Sequence, residues 1–260
     1  MSLACINAGL QAGSKTLLAG VTARLLPGRV CAILGPNGAG KSTLLSLLSG
    51  QRRPTHGQVT LDDESVARHS AAALALRRAV MPQESSVAFD FNAEEIVTLG
   101  RLPHQLAPEA NEAQIVADAM ALTDVTVLAP RIINTLSGGE KARVHLARAL
   151  AQVWRPLPDG AGRWLLLDEP TAALDVAHQH STMALVRRWA AQGVGVVAVL
   201  HDLNLALRYA DEAIVLCNGR LVAHGPSMQV LQPSLVSEVW RTPCELVAGK
   251  DGAPQYLFGA

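Results

Sequence analysis

Short apolar runs alternate with longer helix-forming stretches along the chain. Several runs have the length and composition of strands buried on both faces: Val30–Leu34, 164–167, 194–200 and 213–216. Stretches with helical composition lie between or after them: 42–48, Val176–Ala191 and 202–209. Because strands that alternate with helices pack into parallel sheets covered on both faces, the pattern predicts an α/β fold with a mainly parallel sheet.

Two segments interrupt this alternation and favour antiparallel pairing. Val59, Thr60 and Leu61 alternate in character directly after a turn that contains Pro54 and Gly57. Farther along, an Asn-Gly dipeptide at 218–219 separates two short apolar runs, and such a dipeptide is a strong signal for a two-residue hairpin. We therefore expect antiparallel additions to the parallel sheet.

The middle of the chain has a different character. Residues 91–153 are rich in alanine, show helical spacing and contain no strand-like run. We interpret them as a helical subdomain inserted into a single domain over 1–260, whose core is formed by 1–90 and 154–260. The segment 154–163 contains proline and glycine and predicts a surface loop, and 249–260 is expected to be loosely ordered.

A glycine-rich segment follows the first predicted core strand and precedes a predicted helix. It fits the pattern GxxxxGK[ST] and reads Gly35-Pro36-Asn37-Gly38-Ala39-Gly40-Lys41-Ser42-Thr43. Glycines let backbone N–H groups surround a phosphate where a Cβ would clash, and the start of the following helix attracts the same anion. Since Lys41 should reach the β- and γ-phosphates and Ser42 should ligate Mg²⁺, the segment predicts a site for ATP and Mg²⁺.

Two adjacent acidic residues follow another apolar run. Asp168 and Glu169 come directly after 165–167. Because the carboxyl ends of parallel strands share one edge of a sheet, both side chains should lie beside the glycine-rich loop. We expect Asp168 to orient Mg²⁺ through water and Glu169 to polarise the attacking water as general base.

A second turn suited to anions lies in the helical region. Ser137, Gly138 and Gly139 follow Leu136 and precede a helix predicted to start at Glu140. A capping role for Ser137 is physically sound, but it does not explain both glycines. One chain does not need two such turns to hold one ATP.

The stretch 136–140 resembles the signature motif of ATP-binding cassette (ABC) ATPases, and the resemblance extends over about 6–225 in the family's order. It implies that two copies stack head to tail. Ser137 and Gly139 of one copy would then contact the γ-phosphate of the ATP held by the other, with Gly138 in the same turn. The fold that it implies is a P-loop (RecA-like) mainly parallel sheet with an N-terminal antiparallel β subdomain and an inserted helical subdomain.

Other matches to the ABC family supply the remaining site residues. Gln83 resembles the Q-loop glutamine, which ligates Mg²⁺ and senses the γ-phosphate. Asp175 resembles the aspartate of the D-loop at the dimer seam, and His201 resembles the switch histidine that hydrogen-bonds the γ-phosphate. The resemblance thus implies catalysis by Glu169, His201, Gln83 and Lys41, nucleotide contacts by 35–43, 137–139 and Asp175, and Mg²⁺ ligation by Ser42, Gln83 and Asp168.

Composition narrows the possible partners. The 260 residues carry 22 Lys and Arg against 22 Asp and Glu, and this balance argues against general nucleic-acid binding. No run approaches the ~20 apolar residues needed to cross a bilayer, and Met1 to Leu10 does not have the character of a secretory signal. If the protein acts at a membrane, other subunits must cross it.

The widely spaced cysteines predict reduced, buried thiols: Cys5, Cys31, Cys217 and Cys244.

A finer resemblance concerns the kind of transporter. Segment 100–104 resembles the stretch after the Q-loop in importers of iron chelates, cobalamin and haem, and segments 81–91 and 154–163 are more similar to those of haem-importer ATPases. This similarity implies two transmembrane permease subunits, indirectly a periplasmic haem-binding protein, and a peripheral position on the cytoplasmic face of the bacterial inner membrane. The alternation of Val87, Phe89 and Phe91 is consistent with core packing or with a groove for a permease helix. Because His178 and His180 are two apart on a predicted helix, haem ligation by this chain is not expected.

Several alternatives remain at this point. An importer of a ferric siderophore or cobalamin would differ only in its ligand. A non-transport ABC ATPase usually carries a long coiled coil or a fused second cassette, and a regulator without turnover would not need Glu169 and His201. The chain also has Leu10 and Gln11 where the family often stacks adenine on an aromatic residue, so we expect modest base selectivity.

Overall fold

The computed structural model describes residues 1–83, 89–155, 157, 160–250 and 252–259. Its strands are β1 Leu3–Ala12, β2 Lys15–Leu25, β3 Val30–Leu34, β4 His56–Leu61, β5 Glu64–Ser65, β6 Arg78–Met81, β7 Trp164–Asp168, β8 Gly195–Val199, β9 Glu212–Cys217, β10 Arg220–Pro226, β11 Cys244–Ala248 and β12 Pro254–Phe258. Its α-helices are α1 Lys41–Leu48, α2 Ala71–Arg77, α3 Ala93–Thr98, α4 Glu112–Leu122, α5 Gly138–Gln152, α6 Val176–Ala191, α7 Leu203–Tyr209, α8 Ser227–Val230 and α9 Pro233–Trp240.

The central sheet has the strand order β10-β9-β3-β8-β7-β6. The five strands from β9 to β6 run parallel, and β10 pairs antiparallel with β9 through the hairpin at Asn218 and Gly219. A second sheet, in the order β2-β1-β4-β5, is antiparallel throughout. The predicted fold class is therefore confirmed.

Each central strand buries alternate residues on opposite faces of the sheet. In β3, Val30, Ala32 and Leu34 join one apolar cluster, while Cys31 and Ile33 join the other. The second cluster also contains most of the buried residues of α1 and of the antiparallel sheet. Helix α1 is thus enclosed between two sheets, which fixes the position of the loop that precedes it.

Residues 91–153 form helices and turns with their own apolar cluster, which includes Ile96, Ile115 and Val144. Among the described residues of this region the β pairing is limited to one isolated bridge, between Asn92 and Ile132. Helix α5 also contributes Leu146 and Leu150 to the cluster on the central sheet, so it joins the two regions. The boundaries proposed for this subdomain stay a prediction.

The expectation of a loosely ordered C-terminus is wrong. Strand β12 pairs with β11, and Tyr256 is 3% exposed, with its hydroxyl donating to the carbonyl oxygen of Leu231 at 2.5 Å. The Asn204 side chain accepts from the Tyr256 N–H at 2.6 Å and donates to its carbonyl oxygen at 3.4 Å. These long-range contacts order a segment whose composition alone suggests a flexible tail.

The cysteines also differ in part from expectation. All four are free, and Cys5 and Cys31 are buried, whereas Cys217 and Cys244 are half-buried. Burial raises the pKa of Cys5 to about 12, so its thiol is protonated at neutral pH.

None of the helices in the described ranges combines the length and apolar character needed to cross a membrane.

His145 is a buried polar residue on α5. It is 5% exposed, and neither ring nitrogen has a hydrogen-bond partner among the described residues. Burial, together with the positive charges of Arg148 and Lys141, lowers the pKa of His145 to about 4. The folded protein therefore keeps this imidazole neutral at pH values where the unfolded chain protonates it.

This shift predicts acid sensitivity. Because the pKa of His145 is lower in the folded state than in the unfolded state, its effect on stability is absent above about pH 6.5 and becomes destabilising as pH falls toward about 4. Between about pH 7 and pH 5 we expect the wild type to lose about 1 to 2 kcal/mol more free energy of unfolding than His145→Leu. Urea titrations at each pH would measure this, with the exposed His56→Leu as control, and equal pH slopes in wild type and His145→Leu would contradict it.

Candidate nucleotide site

The predicted catalytic residues meet at the carboxyl ends of adjacent parallel strands. The glycine-rich loop follows β3, His201 lies shortly after β8, Asp168 ends β7, and Gln83 lies shortly after β6. Since β3, β8, β7 and β6 are consecutive in the sheet, these separate parts of the chain share one edge.

Two glycines of the loop have different physical reasons for lacking a side chain. At Gly35 (φ 149°), an added Cβ would lie 2.2 Å from the carbonyl oxygen of Leu216 in the neighbouring strand. At Gly38 (φ 76°), the space around the position is open, and the conformation itself disfavours other residues. Gly35 thus seats the loop against the sheet, while Gly38 shapes the turn that faces the cavity.

Lys41 is held inside the loop that it follows. The residue is 6% exposed, and its ammonium donates to the carbonyl oxygens of Gly35 at 2.9 Å and Pro36 at 3.1 Å. Burial lowers the pKa of Lys41, while the carboxylates of Glu169 and Asp168 act in the opposite direction. The amine is therefore preorganised next to the place where phosphates would lie.

Asp168 faces the start of α1. Its Oδ1 accepts a hydrogen bond from the Ser42 hydroxyl at 3.1 Å. Burial raises the pKa of Asp168, and the Ser42 hydrogen bond partly offsets this. Nearby positive charge would therefore favour the ionised form of this carboxyl.

Glu169 is clamped from two sides. Gln83 Nε2 donates to Oε2 at 2.9 Å, and His201 Nε2 lies 2.5 Å from Oε1. The backbone of Glu169 is left-handed (φ 52°), a conformation that costs on the order of 1 kcal/mol or more in a residue with a side chain. The surrounding contacts thus hold a 12% exposed carboxylate at the edge of the cavity.

The oxygen atoms at this position fit a magnesium ion. Ser42 offers a hydroxyl and Asp168 a carboxylate, and these two groups are already adjacent. Gln83 uses its amide nitrogen toward Glu169, which leaves the amide oxygen as a further ligand. Hard oxygen ligands of this kind are those that Mg²⁺ prefers.

The resulting cavity has a volume of about 850 Å³. Of the predicted residues, 37–43, Gln83, Glu169 and His201 line it, whereas Gly35, Pro36 and Asp168 do not. Residues from β2 and from the β9–β10 turn also line it: Lys15, Thr16, Leu17, Asn218 and Gly219. Gly219 connects these parts, since its N–H donates to the Ala39 carbonyl at 3.0 Å and its carbonyl accepts from Ala19 N–H at 2.8 Å. The Asn-Gly signal predicted the hairpin, but not its place at the cavity.

No Phe, Tyr or Trp lines the described part of this cavity. At the positions where the family often has an aromatic residue, Leu10 is buried opposite Leu18, and Gln11 is exposed opposite Thr16. The modest base selectivity expected from the sequence stays a prediction.

Comparison with known proteins identifies the family. The sequence profile of the family described as ABC transporter matches residues 18–172, more than half of the chain. The chain belongs to the ABC transporter family. The chain is an ATP-hydrolysing ABC subunit.

Curated relatives cover most of this ABC protein. The hemin import ATP-binding protein HmuV of Gloeobacter violaceus is 49% identical over 88% of the chain and 83% of the relative. HmuV of Pseudomonas aeruginosa is 47% identical over 90% of both chains. HmuV of Methylobacillus flagellatus is 46% identical over 96% of the chain and 93% of the relative.

Solved structures of ABC proteins share the fold. A metal-chelate type ABC transporter in an inward-facing conformation aligns with a TM-score of 0.81 and 26% identity, over 100% of this chain and 98% of the other. An ATP-binding cassette in a dimeric post-hydrolysis state, bound to ADP and Pi, aligns with a TM-score of 0.74 and 26% identity, over 86% and 98%.

The signature turn does not line the cavity of its own chain. Ser137 caps α5 in a capping box, in which its backbone N–H donates to Glu140 at 2.7 Å and its hydroxyl accepts from the Glu140 N–H at 3.3 Å. Gly139 packs so closely on the D-loop that an added Cβ would lie 3.0 Å from the Ala173 carbonyl oxygen. One of the two glycines thus has a packing reason within the chain, separate from the capping role of Ser137.

Asp175 is likewise outside the described cavity lining. It caps α6 by accepting from the His178 N–H at 2.9 Å, and it also pairs with His178 Nδ1 at 2.9 Å. Arg143 on α5 connects to this pair, since its Nη1 lies 2.8 Å from His178 Nε2. The D-loop and the signature helix are therefore joined by polar contacts as well as by packing.

The two signature glycines form a matched pair for a stability test. At Gly138 an added Cβ would lie 3.4 Å from the Ala173 Cβ, an ordinary contact, so Gly138→Ala should change the free energy of unfolding by no more than about 1 kcal/mol. We expect Gly139→Ala to lower it by about 1 to 2 kcal/mol, because the new methyl group would crowd the Ala173 carbonyl oxygen. Urea denaturation without nucleotide would measure both, and equal stability of the two variants would contradict the packing argument.

Proposed function

We propose that this chain hydrolyses ATP to energise haem import across the bacterial inner membrane, from the cytoplasmic face. The proposal that the chain hydrolyses ATP rests on the Glu169 carboxylate, which is held between Gln83 and His201 at the phosphate loop. The transported ligand is inferred from relatives named for hemin import that are up to 49% identical over 88% of the chain.

In this proposal the phosphate loop receives the triphosphate of ATP. Backbone N–H groups of the loop would surround the β-phosphate, and Lys41 would exchange its bonds to Gly35 and Pro36 for phosphate oxygens. Ser42, Asp168 and Gln83 would hold Mg²⁺, which neutralises phosphate charge when bound. The buried, preorganised ammonium stabilises charge on the phosphates at little reorganisation cost.

Hydrolysis then depends on the Glu169 carboxylate. Its position between Gln83 and His201 orients it to accept a proton from the attacking water. His201 is 45% exposed at its side chain and can turn from Glu169 to the γ-phosphate. The strained backbone of Glu169 keeps the carboxylate at the strand end, where positioning rather than covalent chemistry determines the rate.

We infer that the working unit is a head-to-tail dimer. The cavity of one chain is not closed by its own signature turn, and Gly138 has no packing reason within the chain. Gly138 and Gly139 of a second copy would supply N–H groups at the start of α5 to the γ-phosphate, and Ser137 would supply its hydroxyl. The structures of related cassettes include dimers, one of them with ADP and Pi.

Two permease subunits, and indirectly a periplasmic haem-binding protein, complete the proposed importer. The predicted contact segment includes residues 84–88, among them Val87, which lie outside the described residues. Next to it, Phe89 is 71% exposed and packs edge-on against the half-buried Phe91, with ring centroids 6.2 Å apart. An exposed aromatic residue between the two regions fits a surface that receives a membrane subunit.

A ferric siderophore or cobalamin importer is the second candidate. The structural similarity to a metal-chelate type transporter supports it, but at lower identity than the HmuV relatives. His178 contacts Asp175 and His180 contacts Tyr209, and the described residues contain no group of three or more His, Cys, Asp or Glu side chains that could hold a metal ion.

Replacing the general base gives the first functional prediction. Glu169→Gln keeps the shape of the side chain but cannot take a proton, so ATP hydrolysis should fall about 100-fold or more while ATP binding persists. ATP-loaded dimers should then accumulate in size-exclusion chromatography with light scattering. The exposed Glu94→Gln serves as matched control, and near-normal phosphate release by Glu169→Gln would remove Glu169 from this role.

The transported ligand is testable in lipid. The chain would be co-expressed with its permease and periplasmic protein, and ATP hydrolysis and uptake would be measured with haem, a ferric siderophore or cobalamin. We expect haem alone to stimulate both, and the complex carrying Glu169→Gln to show no uptake. Stimulation by one of the other two ligands, without a response to haem, would replace haem as the substrate.

A further inference from the structure

A second cavity lies apart from the ATP site. It has a volume of about 340 Å³ and is enclosed by β4 and β5, the end of α1, α2 and the start of β6. It shares no lining residue with the ATP cavity. Its floor is formed by buried apolar side chains: Leu47, Val59, Val66 and Leu74.

Arg78 brings a positive charge to this cavity without a partner. Its guanidinium makes no hydrogen bond and no ion pair with the described residues, and its Nε is fully enclosed. Burial lowers the pKa of Arg78, and no neighbouring charge offsets this effect. The end of α1 carries a partial negative charge beside it, but no carbonyl oxygen there accepts a hydrogen bond from the guanidinium.

Further arginines and a histidine line the same cavity. Arg52 and Arg53 contribute exposed guanidiniums that have no ion pair in the described part of the chain. His69 has an enclosed Nε2 without a hydrogen bond, 3.6 Å from a carboxylate oxygen of Glu64 at the margin. No carboxylate is among the described lining residues.

We propose that this cavity binds a small molecule that carries a phosphate group. Arginine forks match phosphate oxygens in pairs, and several unpaired guanidiniums suit a doubly charged anion better than a single carboxylate. The volume lies at the lower end of the range for ligand sites, so it holds more than a bare phosphate, and the apolar floor receives the organic part. The phosphate belongs to a soluble phosphate ester or to the headgroup of a phospholipid.

The first arm of the test uses glycerol 3-phosphate. It would be titrated by calorimetry into the full chain saturated with ADP and Mg²⁺, so that the phosphate loop is already filled. We expect saturable binding to the wild type, weakened about tenfold or more in Arg78→Gln and in the double variant Arg52→Gln/Arg53→Gln. Arg68→Gln, an exposed arginine nearby that does not line the cavity, should bind like the wild type.

The second arm uses vesicles of phosphatidylglycerol, with phosphatidylcholine vesicles as reference. Co-sedimentation that is lost in the double variant identifies a headgroup as the source, whereas calorimetric binding lost in that variant identifies a soluble ester. Either result supports the site. Absence of binding in both arms, or binding unchanged by the double variant, would overturn it. Because Arg52 and Arg53 are exposed, the double variant decides the question even if Arg78→Gln does not fold.

Discussion

Parallel pairing of β3, β8, β7 and β6 brings the ends of four separate segments to one edge of the sheet, and the catalytic contacts depend on this alignment. The strands keep their positions because alternate side chains enter two apolar clusters, one on each face. A core that is tightly packed on both sides resists small displacements. The short distances between Gln83, Glu169 and His201 are therefore a property of the whole sheet.

Charge is balanced at one cavity and unbalanced at the other. In the proposed ATP site the buried ammonium of Lys41 has two carboxylates close enough to affect its pKa, and their charge offsets part of the cost of its burial. Around Arg78 no described carboxylate offsets the effect of burial on the guanidinium. A buried charge without a counter-ion is costly, and the two sites thus differ in what they require from a ligand.

The local parts of the site could be predicted from the sequence because each demands particular residue types at fixed spacing. The phosphate loop, the Asp168–Glu169 pair and the hairpin at 218–219 are of this kind. Long-range contacts could not be predicted in the same way. The approach of Gly219 to Ala39, the packing of Gly139 on Ala173 and the pairing that orders the C-terminus depend on segments distant in sequence. Composition carries no signal for such contacts.

The C-terminal hairpin has a consequence for His201. Asn204 hydrogen-bonds to the backbone of Tyr256 and lies in the first turn of α7. That helix starts two residues after His201. The last strand therefore braces the helix that follows His201. We expect a tag fused to the β11–β12 hairpin, or its truncation, to change the position of His201 at the nucleotide cavity, although no atom of the hairpin lines that cavity in the described structure.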